Sequence, residues 1–402
     1  MPATSSPRAP IDCTRQGFVK TLQVVVGSSC TIRTPRYNVG RRNLCNDTVN
    51  PKRVNQRQGS AIATIKDVAK AAGVSPSTVS NLLNARDHLM QPETRRRVLE
   101  AMEALSYRPS RIAQQLRGAP NLTFGLIVPS VANPFWGSWA AYLETAAHAR
   151  GRQIYLCNTE RDPDRERAYV EQLWADGVEH IVLSTSLPSL EHLRPAMDAG
   201  VQIVAFDRER EETDPPELLS VSVDNEAGAW MATQHLVERG HRRIAFVSGA
   251  IRTVSRVRRF AGYRRALAEN GIQLDEALVS DSPELGDTDS GSLAREAVHA
   301  LFELQDPPTA LVTINDMFAL GAVAAIRDAG RDVTDVAVVG FDDIPIGGLI
   351  SPTLSTVHQP LREMAEAVVA LTINEARAGE SLHSLVFAPT LVERESTSRR
   401  NT

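Results

Sequence analysis

Between Ser75 and Asn81 the chain reads Ser-Pro-Ser-Thr-Val-Ser-Asn, a run of hydroxyls ending in an amide. Such side chains give and take hydrogen bonds without titrating near neutral pH, which suits contact with phosphates and base edges better than acid–base catalysis. Enzyme signatures are absent. There is no G-x-S-x-G, H-E-x-x-H or P-loop pattern, and the nine histidines have no metal-ligand spacing with the cysteines. No metal, cofactor or catalytic residue is expected. Cys157, at a strand end, reads as a small core residue.

The elements around that run explain its position. Thr64 with Asp67 three residues on can cap a helix, and Ile65, Val68, Ala69 and Ala72 give it one apolar face. Gly73 supplies a turn. Ser75 is a good N-cap, Pro76 suits the first helical position, and Val79, Leu82 and Leu83 form the next apolar face. Two short helices joined by a glycine turn make a helix-turn-helix. A third helix follows Pro92, with Val98, Leu99, Met102 and Leu105 as its stripe. The segment Pro109–Arg117 can form two turns of helix before Gly118 and Pro120 end it. In a helix-turn-helix the start of the second helix meets the major groove. That places Pro76, Ser77 and Asn81 at base edges, with Ser75, Thr78 and Ser80 near phosphates or bases. Pro76, with no N–H and no polar tip, offers apolar contact only.

Charge points the same way. Residues 1–60 carry 10 basic and 2 acidic side chains and residues 61–120 carry 9 and 5, whereas residues 121–402 carry 25 and 41. A basic front on an acidic body is the pattern of a nucleic-acid-binding head on a body that avoids nucleic acid; a basic N-terminus with no partner would give the same counts. The 42% hydrophobic content over 402 residues excludes a wholly disordered chain and one small module. No apolar run is long enough to span a membrane, and Lys20 and Gln23 interrupt the best early stretch, so no secretory signal is read. Four cysteines in such a length make no disulfide framework and suit a reducing compartment.

Beyond residue 121, strand-like runs (Phe124–Val128, Ile154–Cys157, Ile181–Leu183, Ile203–Phe206, Ile244–Val247, Ala310–Ile314, Val336–Val339) alternate with amphipathic helical segments. Continuous Val/Ile runs indicate parallel strands covered on both faces. The length implies two α/β subdomains, with a cleft at the carboxyl ends of their strands. Residues 1–60 show no periodicity and are rich in Arg, Asn, Thr and Pro. They read as disordered, or as an extension ahead of a true start near residue 60, although no methionine lies between Met1 and Met90.

From Thr64 onward the chain resembles the lactose-repressor family of bacterial transcription regulators. The resemblance rests on TIKDVAKAAGVSPSTVSNLLN (64–84), YRPSRIAQQLR (107–117), VDNEAGAWMATQHLVERGHRRIAFVSG (223–249) and FAGYRRAL (260–267). It continues in TINDMFALGAVAAI (313–326), VAVVGFDD (336–343), LSTVHQP (354–360) and LVERES (391–396). It implies that Thr64, Ser75, Pro76, Ser77, Thr78, Ser80, Asn81 and Arg111 contact DNA. It also implies that 109–117 is a hinge helix ordered on the operator, in which Leu116 wedges into the minor groove. Gln114 and Gln115 stand where the family often has a basic residue. For the cleft it implies Asn133 and Phe135 after the first core strand, Asp207 and Arg208 after Phe206, and Ser255 and Arg259 at the start of the FAGY helix. Asn315 and Asp316 at one further strand end, and Asp342 at another, complete the set. For Arg259 and Asp342 a structural ion pair between the subdomains is an equally concrete role. Trp139 is expected to pack in the core; Trp136 can pack or touch ligand.

The expected architecture is thus a small all-α helix-turn-helix DNA head (61–108), a hinge and linker (109–120) and an α/β core (121–402). The core comprises two parallel-sheet subdomains, periplasmic-binding-protein-like: about 121–222 plus 360–385, and about 223–359 plus 386–398. A periplasmic sugar-binding protein would share the two lobes but needs a signal peptide and no head. The expected function is a homodimeric regulator, a repressor, on a pseudo-palindromic operator in the cytoplasm at the nucleoid. A small-molecule effector, a carbohydrate, controls it, because charged and amide groups beside an aromatic face suit hydroxyl recognition.

Overall fold

The computed structural model describes residues 63–83, 90–108, 123–185, 187, 189–281, 291–332, 335–373 and 384–398. The expectations for residues 1–60 and for the hinge, including Arg111 and Leu116, lie outside them. The described residues form two compact units that meet in sequence at Tyr107 and Arg108.

The first unit is three helices, α1 (Ile65–Ala72), α2 (Pro76–Leu83) and α3 (Pro92–Ala104). The Thr64–Asp67 capping box forms reciprocally: Asp67 N donates to Thr64 Oγ1 at 3.4 Å, and Thr64 N to Asp67 Oδ2 at 2.8 Å. Gly73 closes α1 at φ 64°, the left-handed region where a Cβ is penalised. Val68, Ala69, Ala72, Val79, Val98 and Ala101 form the core. The third helix departs from expectation. Val98 is buried, but Leu99 is 41% exposed and Leu105 lies past the helix end, also exposed. The buried stripe continues from Val98 to Ala101, with Met102 packed beside it, at the three- and four-residue steps of one helix face; Leu99 is turned about 100° away.

In the second unit, one sheet holds β1 (Thr123–Val128), β2 (Gln153–Asn158), β3 (His180–Leu183), β4 (Gln202–Phe206), β5 (Leu219–Val223) and β11 (Ser384–Phe387), ordered β11-β5-β4-β3-β1-β2. The other holds β6 (Ile244–Val247), β7 (Val279–Ser280), β8 (Ala310–Thr313), β9 (Ala337–Asp342), β10 (Ser355–His358) and β12 (Thr390–Val392), ordered β12-β10-β9-β8-β6-β7. All pairings are parallel except β12 on β10. Helices α4 (Pro134–His148), α5 (Pro163–Ala175) and α6 (Arg194–Asp198) follow strands of the first sheet. Helices α7 (Asn225–Glu238), α8 (Val254–Glu269), α9 (Gly291–Phe302) and α10 (Asp316–Asp328) belong with the second. Helix α11 (Leu361–Thr372) returns to pack on α4, β4 and β5. The last crossing falls after Phe387, where β11 ends, rather than at residue 385.

The seven strand-like runs are strands, and β1 and β9 are buried along their whole length. β2 is the exception: it is an edge strand, and Tyr155 and Leu156 are half-exposed. Five strands carried no such run. In β5 (Leu-Ser-Val-Ser-Val) and β10 (Ser-Thr-Val-His), Ser220, Ser222, Ser355 and Thr356 are fully buried. Hydrogen bonds make burial tolerable for several of these hydroxyls: Ser220 Oγ donates to Ser384 Oγ at 2.9 Å, and Ser355 Oγ to the Arg394 carbonyl at 2.9 Å.

Candidate functional site

A cleft opens at the carboxyl ends of the strands of both sheets, the usual place for a ligand in open α/β sheets. Its empty space is about 470 Å³, mouth included. From the first lobe come Asn133, Phe135 and Trp136 around the start of α4, and Asp207 after β4. From the second come Ser255 and Arg259 on the first turns of α8, Asn315 after β8 and Asp342 at the end of β9.

Arg259 is the hub. Its Nε donates to Asn225 Oδ1 at 2.8 Å and its Nη1 to the Ile314 carbonyl at 2.7 Å. Its guanidinium lies 3.7 Å from the centroid of the Phe341 ring, a cation–π contact. Asp207 and Asp342 each place a carboxylate oxygen 3.8 Å from it. Asp207 belongs to one lobe and Asp342 to the other, so Arg259 spans the cleft electrostatically. The pair expected between the subdomains, Arg259–Asp342, lies within the second lobe, and the contact that crosses between lobes is Arg259–Asp207. Gln359, buried, donates its amide to Asp342 Oδ1 at 2.9 Å. Asp207, Asp342 and Asp343 have φ of 59°, 117° and 54°. Non-glycine residues in such conformations are strained by about 1–3 kcal/mol each and cluster at functional sites.

Asn133 and Asn315 are helix caps as well as lining residues. Asn133 Oδ1 accepts from Phe135 N, and Asn315 Oδ1 from Phe318 N, both at 3.0 Å. Asn315 therefore has its amide NH₂ to offer the cleft. Trp139 stacks on Phe206 inside the core, whereas Trp136 packs edge-on to Phe135 and Phe206 and also lines the cleft. Arg208 is the correction. Its side chain turns inward, nearly sealed from solvent, to pair with Asp214 at 2.5 Å and the Leu187 carbonyl at 3.0 Å. A buried carboxylate outcompetes the cleft for that guanidinium. Sequence reasoning missed Arg161, Thr185, Thr253 and Arg256, which also line the cleft. Arg256 could have been found by helical spacing from Arg259, and Thr253 as the N-cap of the same helix; Arg161 and Thr185 sit in loops with no motif.

Asp316, expected in the cleft, does not line it: behind the wall it is fully buried, bonded to Thr356 and Ile344, and pushed up to about 7, chiefly by loss of water around its carboxylate. In the helical head, Pro76, Ser77 and Asn81 face solvent on α2 while Val79 faces the core. Ser75 Oγ accepts from Thr78 N at 3.2 Å and lies 2.7 Å from Ser77 Oγ. Thr64 has its hydroxyl on Asp67 Oδ2 at 2.7 Å. The caps thus engage Thr64 and Ser75, leaving Pro76, Ser77 and Asn81 outermost. Ser80 and Thr78 are half-buried.

Residues 64–110 match "Bacterial regulatory proteins, lacI family" and residues 233–397 match "Periplasmic binding protein-like domain". Over 319 residues the chain is 31% identical to the HTH-type transcriptional repressor PurR of Aliivibrio salmonicida, covering 79% of this chain and 93% of that protein. The Lac repressor dimer solved with operator and the anti-inducer ONPF superposes at a TM-score of 0.72 with 28% identity, over 84% of this chain and 99% of that one. The transcriptional regulator CelR, solved as a cellobiose complex, gives 0.59 with 31% identity, over 83% and 99%. Helical head and two-lobed core together define a DNA-binding transcription regulator with an effector-binding core, not an enzyme. The chain belongs to the lacI family of bacterial regulatory proteins.

Proposed function

We propose that this regulator is a repressor that binds a pseudo-palindromic operator as a homodimer and responds to a sugar held in the cleft around Arg259. The observation that carries the reading is the inter-lobe cluster of Asp207, Arg259 and Asp342 beside Phe135 and Trp136. Hydroxyl-rich ligands need closely spaced donors and acceptors together with a flat apolar face, and this lining supplies both. A ligand that inserts between Arg259 and the two carboxylates must change how the lobes approach each other. That change is the lever on the DNA heads, and the coupling is reciprocal: operator must alter sugar affinity by the same factor. The relative solved with cellobiose and the one solved on operator support the two halves of the reading.

On DNA, α2 would lie in the major groove with Pro76, Ser77 and Asn81 at the bases, and Lys66 and Lys70 on exposed faces of α1 suit phosphates. Arg111 and Leu116 would act from the hinge in the minor groove. No described helix is long and apolar enough to cross a membrane, in keeping with a cytoplasmic, nucleoid-associated protein. The test is a thermal-shift screen of mono- and disaccharides on the full chain, followed by operator titration with and without the best binder. A sugar that raises the melting temperature and changes operator affinity supports the reading. Stabilisation by no sugar, or binding without any change at the operator, overturns it.

A further inference from the structure

We propose that Asp316, which does not itself line the cleft, is the positioning residue that holds Asp342 in its effector-binding place; this rests on the reading of the cleft as the effector site. Asp342 and Asp343 are consecutive residues in left-handed conformations, and their side chains serve different partners. Asp342 faces Arg259 and Gln359, whereas Asp343 takes Arg394 Nη2 at 2.7 Å and His358 Nδ1 at 3.0 Å. Two strained residues in a row relax unless something over-determines them.

Asp316 does so from behind. Its Oδ2 accepts from the Ile344 N–H at 2.8 Å and its Oδ1 from the Thr356 hydroxyl at 2.6 Å. Thr356 Oγ1 in turn lies 3.4 Å from the Asp343 N–H, which donates to it. One carboxylate thus holds both residues that follow Asp342. The backbone makes room for it: a Cβ on Gly340 would come within 2.0 Å of Asp316 Oδ1. A hydrophobic residue of similar size at 316 would fill the space without tethering the turn, so the carboxylate supplies the tether.

The charge matters for the strength of that tether. An ionised carboxylate accepts roughly twice as strongly as a neutral acid. Burial raises Asp316, and the bonds from Thr356 and Ile344 pull it down, so the set turn favours the ionised form. The groups that face it are Asp343, which opposes ionisation, and Arg394, which favours it. His358 acts through Asp343, and Arg259 through Asp342. Acid therefore weakens the hold on Asp342, and effector affinity falls as pH drops through about 7.

The experiment is calorimetric titration of D-ribose, D-glucose, D-galactose, lactose and cellobiose into the full chain between pH 6 and 8.5. It compares the natural protein with Asp316→Asn and Thr356→Val. For any sugar that binds, Asp316→Asn is expected to weaken affinity about tenfold or more. It should also flatten the pH profile, while Thr356→Val weakens affinity less and keeps a pH dependence, moved to higher pH because a bond that lowers Asp316 is lost. Natural affinity with a natural pH profile in Asp316→Asn overturns the assignment. If no sugar binds the natural protein, the sugar reading falls, and Asp316 is judged by the crystal structure of its Asn variant. There Asp342 should have left Arg259; Asp342 still opposite Arg259, with both left-handed residues intact, overturns the assignment. Should Asp316→Asn not fold, Thr356→Val carries the comparison, and unchanged affinity in it counts against the tether.

Discussion

Arg259 and Phe341 are stacked, guanidinium over ring at 3.7 Å, and Phe341 is the residue immediately before Asp342 on β9. The arginine of α8 is thereby fixed against the strand whose end supplies its carboxylate partner. Arg259→Ala removes this contact, two hydrogen bonds and the cation between Asp207 and Asp342. Leaving such carboxylates without their cation typically costs about 3–5 kcal/mol. The expected outcome is a protein that still binds operator, melts earlier in urea and no longer responds to effector. Arg259→Lys keeps charge but lacks the fork, and should fall between. A natural effector dose-response in the Ala variant would remove Arg259 from the site.

The buried carboxylate has a second consequence, opposite in sign to its tether. Asp316 sits at about 7 in the folded chain, against about 3.9 for a carboxyl in the unfolded chain. The folded state therefore holds the proton more tightly. Its contribution to stability is present below about pH 4 and is lost as pH rises through about 7. Between those limits the slope approaches 1.4 kcal/mol per pH unit at most, roughly. Asp316→Asn should remove it, so the variant gains on the natural protein as pH rises. Parallel pH–stability curves for the two proteins would show that Asp316 does not titrate in this range.

Asn81 lies one helical turn past Ser77 on the exposed face of α2. Its amide pairs best with adenine N6 and N7, whereas an arginine there would match guanine O6 and N7. The half-site base pair facing it is expected to be A·T, and Asn81→Arg should shift the preference to G·C by ~1–3 kcal/mol per half-site. The salt slope should not change. Selection from a random duplex library at one salt concentration reads this directly. Identical consensus sequences would show that Asn81 reads no base.

A chain beginning at Ser60 is expected to fold and bind operator as tightly as the whole, since residues 1–60 lack the periodicity and apolar content of a core. Gel-shift titration at matched salt checks it; weakened specific binding would give the basic segment a role on DNA.

The parts legible in the sequence were those in which one periodicity dominates. Thr64–Asp67, Gly73 and Ser75–Pro76 announce two helices and their turn, and the Val/Ile runs announce the buried strands. β5 and β10 were hidden because their buried serines and threonines look like solvent-facing positions until their hydrogen-bond partners are known. Leu99 was misplaced because composition, without phase, assigns any leucine to a stripe. For the site, the strand-end residues Asp207, Asn315 and Asp342 could be marked in sequence. Which way Arg208 turns depends on Asp214, six residues on, and no local pattern encodes that competition.

The first sheet begins with Thr123 but takes its edge strand from Ser384–Phe387, and its helix α11 from Leu361–Thr372. On the ribosome those pieces emerge long after β1 to β5. At about 5–20 residues per second the lag is roughly ten to thirty seconds, during which the outer edge of β5 has no neighbour and the apolar face of α4 no covering helix. The later lobe meanwhile has most of its strands in hand. Vectorial synthesis leaves both sheets waiting for the last strands of the chain, β11 and then β12, but the first lobe waits longest after its other strands are made, and its open edge is the stretch that chaperones should hold.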